Sequence, residues 1–273
     1  MNYCTIAMDG TASSGKSHIA ELLAKRLDYS YLNSGSAYRA VTLSAMREGV
    51  DPANTSALIQ LAKDCQIDFA NNGSVTLLNG DDVSDPIRAP EIDCEVSVIA
   101  NIPEIRTEIT ELQRRIATNN NIIVEGRDTT TIVFPNANHK FYIDAAVESR
   151  AKHRCRERKE QDIETTLHKV ESELRTRDLT DKNRKYGPLR RASDAIVIDT
   201  TGLTIKQATD FILLAMNYKY NVDDAEKRDC CLCNEPVIVL NIEGNDMTFD
   251  FKVAAETGFV ALQLHSFVCE KWN

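Results

Sequence analysis

An α/β fold with a central parallel sheet and a small α+β extension at its carboxyl end is what the sequence predicts, on three observations. A short apolar segment, Thr5–Met8, runs into a glycine- and serine-rich turn and at once into an amphipathic pattern with Ile19, Leu22, Leu23 and Leu27 on one helical face. A second apolar run, Ile122–Val124, again ends in a turn that carries glycine and charge. Apolar residues make up 42% of the chain and charged residues 27%, the balance of a globular protein rather than a disordered one.

At 273 residues the chain has room for one large α/β domain, or one domain and a small module. Its longest apolar runs, around Ile122–Val124 and Pro236–Leu240, are too short to cross a bilayer. The first residues lack the basic start, long apolar middle and cleavage site of a signal peptide, so a cytoplasmic location is expected. Cys4, Cys65, Cys94 and Cys155 are scattered singly, as free thiols are in a reducing compartment.

The first turn, Gly10-Thr11-Ala12-Ser13-Ser14-Gly15-Lys16-Ser17, matches G-x-x-x-x-G-K-[ST] in full, between a strand and a helix as that motif requires. Its glycines let the chain wrap tightly enough for successive N–H groups to point at phosphate oxygens, and the new helix adds its amino end. The chemistry expected is a nucleoside triphosphate, ATP, held by Gly10, Thr11, Ala12, Ser13, Ser14, Gly15, Lys16, Ser17 and His18. Lys16 would reach the β- and γ-phosphates, and the Ser17 hydroxyl would face Mg2+. No N-K-x-D guanine motif and no second phosphate loop occur, which favours a small-molecule kinase.

A second turn of small residues, Leu32–Arg39, presents hydroxyls, an aromatic ring and a guanidinium, a reasonable edge for a second phosphate-bearing ligand. Further on, the strand at Ile122–Val124 leads into Glu125-Gly126-Arg127-Asp128, an Arg–Asp pair at the carboxyl end of a strand, where doubly wound sheets bind ligands.

With these residues the chain resembles the bacterial-type cytidylate kinases over about Tyr3–Asn217. The segments that carry the resemblance follow in order after the phosphate loop: Leu32–Arg39, Ile87-Arg88, Ser97, Pro103–Arg106, Gly126–Asp128, Val133–Pro135, Arg177-Asp178, Asp181 to Arg184, Pro188-Leu189, Ala192 to Ala195 and Ile198–Leu203. The resemblance implies transfer of the γ-phosphoryl group of ATP to CMP or dCMP, in a phosphate-loop three-layer fold with a helical lid and a nucleotide-binding insert. It implies an acceptor site of Ser34, Tyr38, Arg39, Ser97, Arg106, Arg127, Asp128, Arg177, Asp181 and Arg184, with Lys16, Arg127 and Arg184 catalytic. Ser97 and Asp128 would face the cytosine and sugar end, Asp181 the sugar, and the arginines the phosphates. Forked guanidinium donors suit a dianionic phosphate better than ammonium groups do. The sequence departs from the family pattern at His18, at Asn33 where an aspartate is typical, at Ser36-Ala37, and at Thr130 where a glycine is typical. Acceptors other than cytidylates (UMP, AMP or dTMP) remain open at this point, as does an ATP-binding regulatory protein.

A kinase-like domain is expected over residues 1–218, with the insert at about 51–100. There Gln66–Phe69 and Ser74–Leu78 flank Asn71-Asn72-Gly73 and read as a hairpin. Net charge is −9, which disfavours nucleic acid, yet Arg150–Lys159 holds six Lys/Arg against one acid. Residues 175–191 hold seven Lys/Arg against two acids; a solvated helix face would account for such runs, and the resemblance implies that they form the lid, at about residues 150–185. Arg154 and Arg158, four apart on one helix face, are the lid pair expected to reach the ligands. The expected partners are small-molecule nucleotides, with neither nucleic acid nor membrane, and the chain is expected to be a monomer unless its extension mediates association.

After a polar, linker-like stretch at Asn221–Lys227, that extension, about residues 228–273, reads as a hairpin (Val237–Asn241 and Met247–Phe251) and a helical pattern ending at Cys269. Cys230 and Cys233, followed by His265 and Cys269 at i, i+4, have the spacing of a Zn2+ site. A metal-free cluster of buried thiols is the equal alternative.

Overall fold

The structure, a computed structural model, describes residues 3–160 and 162–217 and the strand segments 226–229, 236–242, 245–254 and 259–264. The chain opens with β1 (Thr5–Gly10), α1 (Lys16–Leu27), β2 (Ser30–Asn33) and α2 (Ser34–Arg47). Next come α3 (Thr55–Asp64), a small meander of β3 (Ile67–Ala70), β4 (Val75–Leu78) and β5 (Asp81–Asp82), then α4 (Pro90–Ala100) and α5 (Pro103–Ala117). The chain returns to the main sheet with β6 (Ile122–Gly126) and β7 (His139–Asp144), builds α6 (Val147–Glu160) and α7 (Leu167–Asn183), and closes this part with β8 (Ile196–Asp199) and α8 (Ile205–Asn217).

The sheet is parallel in the order β2-β6-β1-β7-β8. Both neighbours of β1 come from later in the chain, Ile6 pairing with Ile123 on one side and with His139 on the other. The carboxyl end of β1 is therefore a crevice between two loops that leave in different directions, the place where open parallel sheets take ligands. The middles of the strands are largely apolar because helices cover both faces. Ile6, Met8, Ile123, Phe141 and Ile143 are buried and packed against Ile19 and Leu23 of α1 and Ile212 of α8. A second cluster joins Val41, Leu58, Leu78, Ile105 and Ile109, and so ties the meander to α2, α3 and α5. A third and smaller one, Ala12 with Ala151, Val170 and Leu174, seats α6 and α7 on the glycine-rich loop.

The hairpin expected in the insert forms, with Ile67 opposite Leu78 and Ala70 opposite Val75. In the carboxyl-terminal segment β10 (Pro236–Ile242) and β11 (Asn245–Ala254) pair antiparallel, as the alternating pattern predicts. Two readings there are corrected. Glu226 and Lys227, read as linker, belong to β9 (Glu226–Asp229), and Phe259–Leu264, read as part of a helix, is β12. A short apolar run does not distinguish helix from strand by period; the long partner β11 decides it, pairing with β12 from Phe249↔Leu264 to Ala254↔Phe259. β12 also meets β8 in parallel at Leu262↔Ile198, so the main sheet continues as β8-β12-β11-β10-β9. Cys230, Cys233, His265 and Cys269 lie outside the described residues. Among the described residues no helix is long and apolar enough to cross a membrane.

Candidate active site

β1 delivers the chain to Gly10, where a Cβ would come 1.9 Å from the Ile143 carbonyl oxygen of β7. Only glycine permits that approach. The loop that follows is held by its carbonyls. Thr11 O accepts from Ser14 Oγ at 3.0 Å and from Lys16 Nζ at 3.4 Å, Ala12 O from Arg150 at 3.0 Å, and Ser14 O from Thr200 Oγ1 at 3.0 Å. The Thr11 hydroxyl donates to Asp144 at 2.7 Å. With the carbonyls engaged in this way, the loop's N–H groups and the amino end of α1 make the anion-binding surface. Beside the loop lies a pocket bounded by Ser13, Gly15, His153, Thr200, Leu203 and Ile205. The exposed His18 meets the His153 ring edge-to-face at 6.1 Å.

Lys16 is buried, and its ammonium is pushed down to about 8, by burial first and then by the Arg127 guanidinium, with Glu125 pulling the other way. Glu125, at the end of β6, is the buried carboxylate that organises this half. It lies 3.6 Å from Lys16 Nζ and accepts from Ser17 Oγ at 2.7 Å, from Asn33 Nδ2 at 2.6 Å and from the Tyr31 hydroxyl at 3.2 Å. A hydroxyl and a carboxylate side by side at a phosphate cradle are oxygen donors that suit Mg2+, so the residues fit that ion. The asparagine at position 33 now has a physical reason. Its Oδ1 caps α2 by accepting from Ser36 N at 3.2 Å while its amide donates to Glu125, which a carboxylate cannot do. Thr130 likewise uses its hydroxyl and its N–H on buried Asp9, at 2.5 and 2.7 Å.

The acceptor-side candidates converge from five elements. Arg39 of α2 donates to Ile87 O at 3.0 Å and to the Asp93 carboxylate. Arg106 of α5 donates to Ala100 O at 2.9 Å and to Asp128, and lies 5.4 Å from the centre of the Tyr38 ring. Burial pushes the Tyr38 hydroxyl up to about 12. Arg127 donates to one oxygen of Asp181 at 2.8 Å, and Arg184 to the other at 2.5 Å. These two guanidiniums hold the Asp181 carboxyl below its ordinary range although burial alone would raise it. Burial, then Arg127, push Arg177 down to about 10. The Nε of Arg184 is buried without a hydrogen-bond partner, a donor still to be satisfied. Ser34 is buried at the start of α2, and Ser97 is half-buried on α4.

The two expected lid arginines part company. Arg154 reaches towards Asp93 at 3.6 Å and Glu157 at 3.1 Å, whereas Arg158 bonds Glu173 at 2.7 Å and Thr165 at 3.3 Å and so ties α6 to α7. Sequence reasoning gave no role to Glu125, Asp93, Arg150 or Gly187. Gly187, at φ 59°, lies so close to the Arg106–Asp128 pair that a Cβ would stand 2.1 Å from the guanidinium and 2.4 Å from the carboxylate. Arg150 is buried, bonding Asp178 at 2.7 Å as well as Ala12 O. The signals available were faint: an acid ending an otherwise apolar strand for Glu125, and a glycine before Pro188 for Gly187.

The family model for cytidylate kinase matches residues 6–218. A cytidylate kinase of Oceanobacillus iheyensis is 38% identical over 222 residues, covering 81% of this chain and 96% of that protein. One from Clostridium botulinum strain Loch Maree is 40% identical over 208 residues, covering 76% and 95%. One from Clostridioides difficile is 38% identical over 217 residues, covering 80% and 100%.

Proposed function

The chain belongs to the cytidylate kinase family, and from that premise we propose that it transfers the γ-phosphoryl group of ATP to CMP or dCMP, giving ADP and CDP or dCDP. One observation carries the geometric side of this reading. Lys16 Nζ lies 3.6 Å from Glu125, two residues before Arg127, and Arg127 shares Asp181 with Arg184, so the donor lysine and the acceptor arginines gather at the carboxyl end of β6. Two polyanions must meet there, and most of the catalytic effort lies in aligning them and neutralising their repulsion.

The reaction follows from the charges. The triphosphate lies along the loop from Gly10 to His18, with Lys16 on its β- and γ-phosphates and the base directed to the pocket at Leu203 and Ile205. Ser17 and Glu125 stand where Mg2+, when bound, neutralises and orients the phosphate oxygens. An oxygen of the acceptor monophosphate attacks the γ-phosphorus, and the bond to the β–γ bridging oxygen breaks as the electron pair leaves with ADP. No side chain has to remove a proton, because the attacking oxygen is already anionic. Arg127 and Arg184, fixed by Asp181, take the developing charge on the equatorial oxygens. Arg39, Arg106 and Arg177 hold the acceptor phosphate. Ser34, Tyr38, Ser97 and Asp128 bound the nucleoside, with Asp128 able to accept from an exocyclic amine.

In this reading residues 1–218 form the kinase unit, a three-layer phosphate-loop fold. α6 and α7 act as the lid, joined to the loop through Arg150, and residues 51–100 close over the acceptor. The decisive experiment is phosphoryl transfer from ATP with Mg2+ to a panel of CMP, dCMP, UMP, AMP and dTMP. The expected result is highest kcat/KM with CMP or dCMP. A higher value with UMP, AMP or dTMP overturns the acceptor assignment, and ATP binding without any acceptor-dependent turnover overturns the enzyme reading.

A further inference from the structure

Asp93 belongs to none of the segments that point to nucleotide chemistry, yet its carboxylate is where three guanidiniums from three other elements meet. Arg39 of α2 donates to its Oδ1, Arg177 of α7 approaches the same oxygen at 3.8 Å, and Arg154 of α6 approaches Oδ2 at 3.6 Å. Two of these contacts exceed the roughly 2.7–2.9 Å of a charge-assisted hydrogen bond, so Arg154 and Arg177 are drawn to the carboxylate without being bonded to it. Three forked cations around one anionic group are the surroundings of a phosphate dianion, which brings more charge and more acceptor oxygens. Asp93 stands on α4 four residues before Ser97, on the same face of that helix, so the insert presents it to the acceptor cleft. Its side chain is 30% exposed, and those of Arg154 and Arg177 are 30% and 37% exposed. Water reaches the cluster and the pairs are screened.

We propose that Asp93 is an internal stand-in for the phosphate of the acceptor: it gathers Arg39, Arg154 and Arg177 in the free protein and yields them to a phosphate monoester dianion, so that it sets acceptor affinity by competition. The proposal rests on the kinase reading for the identity of the acceptor, and on the three-arginine cluster alone for the anion site. Removing the carboxylate's charge leaves the arginines free for the ligand. A latch that merely fastened insert to lid would have the opposite effect, because its loss would disorder the cleft.

The test is calorimetric titration of the full chain and of its Asp93→Asn and Asp93→Ala variants with CMP, with cytidine and with inorganic phosphate. The expected result is that both variants bind CMP and inorganic phosphate roughly two- to fivefold tighter, the scale of one lost exposed ion pair, while cytidine affinity stays as in the wild type. Unchanged or weaker binding of CMP and phosphate overturns the proposal. So does failure of both variants to fold, which makes Asp93 a structural keystone. Tighter phosphate binding in a protein that phosphorylates no monophosphate keeps the anion site and removes the kinase reading. Turnover of CMP with phosphate affinity unmoved by either variant does the reverse.

Discussion

In the proposed reading, the two halves of the cleft are built to hold anions by different means. The donor half is mostly backbone: a loop whose carbonyls are drawn aside by Ser14, Arg150 and Thr200, with a single buried lysine set against a single buried carboxylate. The acceptor half is made of side chains. Arg39, Arg106, Arg127, Arg177 and Arg184 face Asp93, Asp128 and Asp181, and the free protein neutralises much of its own charge before substrate arrives. Backbone N–H groups need no counter-ion, whereas guanidiniums packed together do. The acids of the acceptor half therefore pair with its guanidiniums, while Glu125 of the donor half stands 3.6 Å from the lysine of the loop.

The largest expected effect breaks the donor half alone. Lys16→Met should lower kcat by at least about a hundredfold, the scale of losing one preorganised charge from a phosphoryl-transfer site. The same variant should be more stable than the wild type. Burial, then Arg127, push the Lys16 ammonium down to about 8, so the folded protein bears a cost below about pH 8 that is relieved as pH rises towards 10.5. By linkage that cost is on the order of 3 kcal/mol at neutral pH, and methionine removes it. Urea unfolding together with a steady-state assay checks both signs, and near wild-type turnover would sink the mechanism. Arg184→Ala comes next. It should also lower kcat by at least about a hundredfold, and it should raise the acceptor KM while leaving ATP affinity within about twofold, because its partners lie wholly in the acceptor half. A matching loss of ATP affinity would mean that the two halves are not separable.

Asp181→Asn tests the counter-ion argument and should act mainly on stability. The Asp181 carboxyl is depressed by Arg127 and Arg184, so its contribution is complete above its unfolded value of about 3.9 and is lost as pH falls through its folded value. The variant should be roughly 1–3 kcal/mol less stable at pH 7, where it leaves two guanidiniums without their shared partner. Its deficit against the wild type should shrink as the medium is taken below about pH 4. Denaturant melts at pH 7 and below pH 4 decide it; a deficit independent of pH would mean that packing, not charge, is what Asp181 supplies. The two halves thus titrate with opposite signs, Lys16 costing stability that alkali returns and Asp181 giving stability that acid removes.

The same contrast explains what the sequence discloses. The donor cradle is legible because a backbone site must be contiguous: eight residues from Gly10 to Ser17 specify it, and the flanking strand and helix follow from apolar period. The acceptor arginines are legible only through their order along some 150 residues, since they arrive on α2, on α5, after β6, and on α7 and its carboxyl cap. Of their counter-ions, Asp128 and Asp181 come in the same segments as Arg127 and Arg184, whereas Asp93 leaves no local trace. Asp93 lies 54 residues from Arg39 and still further from Arg154, and no pattern in one chain links them. Helical spacing favours Arg154 and Arg158 as a pair, but α7 packs alongside α6 and offers Glu173 to the second of them. Arg150, one turn earlier, is the basic residue of that helix that reaches the phosphate loop.

Asn33 gives the smallest and sharpest test, because it borders both halves. It stands next to the acceptor-side Ser34, where a change might be expected to alter the choice of nucleotide. Its hydrogen bonds run the other way, to Glu125, which holds the donor-side Ser17. Asn33→Asp keeps the cap on α2, since a carboxylate accepts from Ser36 N as well as an amide oxygen does. It loses the 2.6 Å donation to Glu125 and sets two carboxylates in its place. The expected cost is about 1–2 kcal/mol in the free protein, less when Mg2+ and ATP are present, because a divalent cation beside the pair offsets their repulsion. The ratio of kcat/KM for CMP over UMP should stay within about twofold of the wild type, the change lying on the donor side of the cleft. Thermal melts with and without Mg-ATP, read beside that ratio, separate the two possibilities: a ratio that moves while the melts do not would place Asn33 in the acceptor half and redraw the boundary between them.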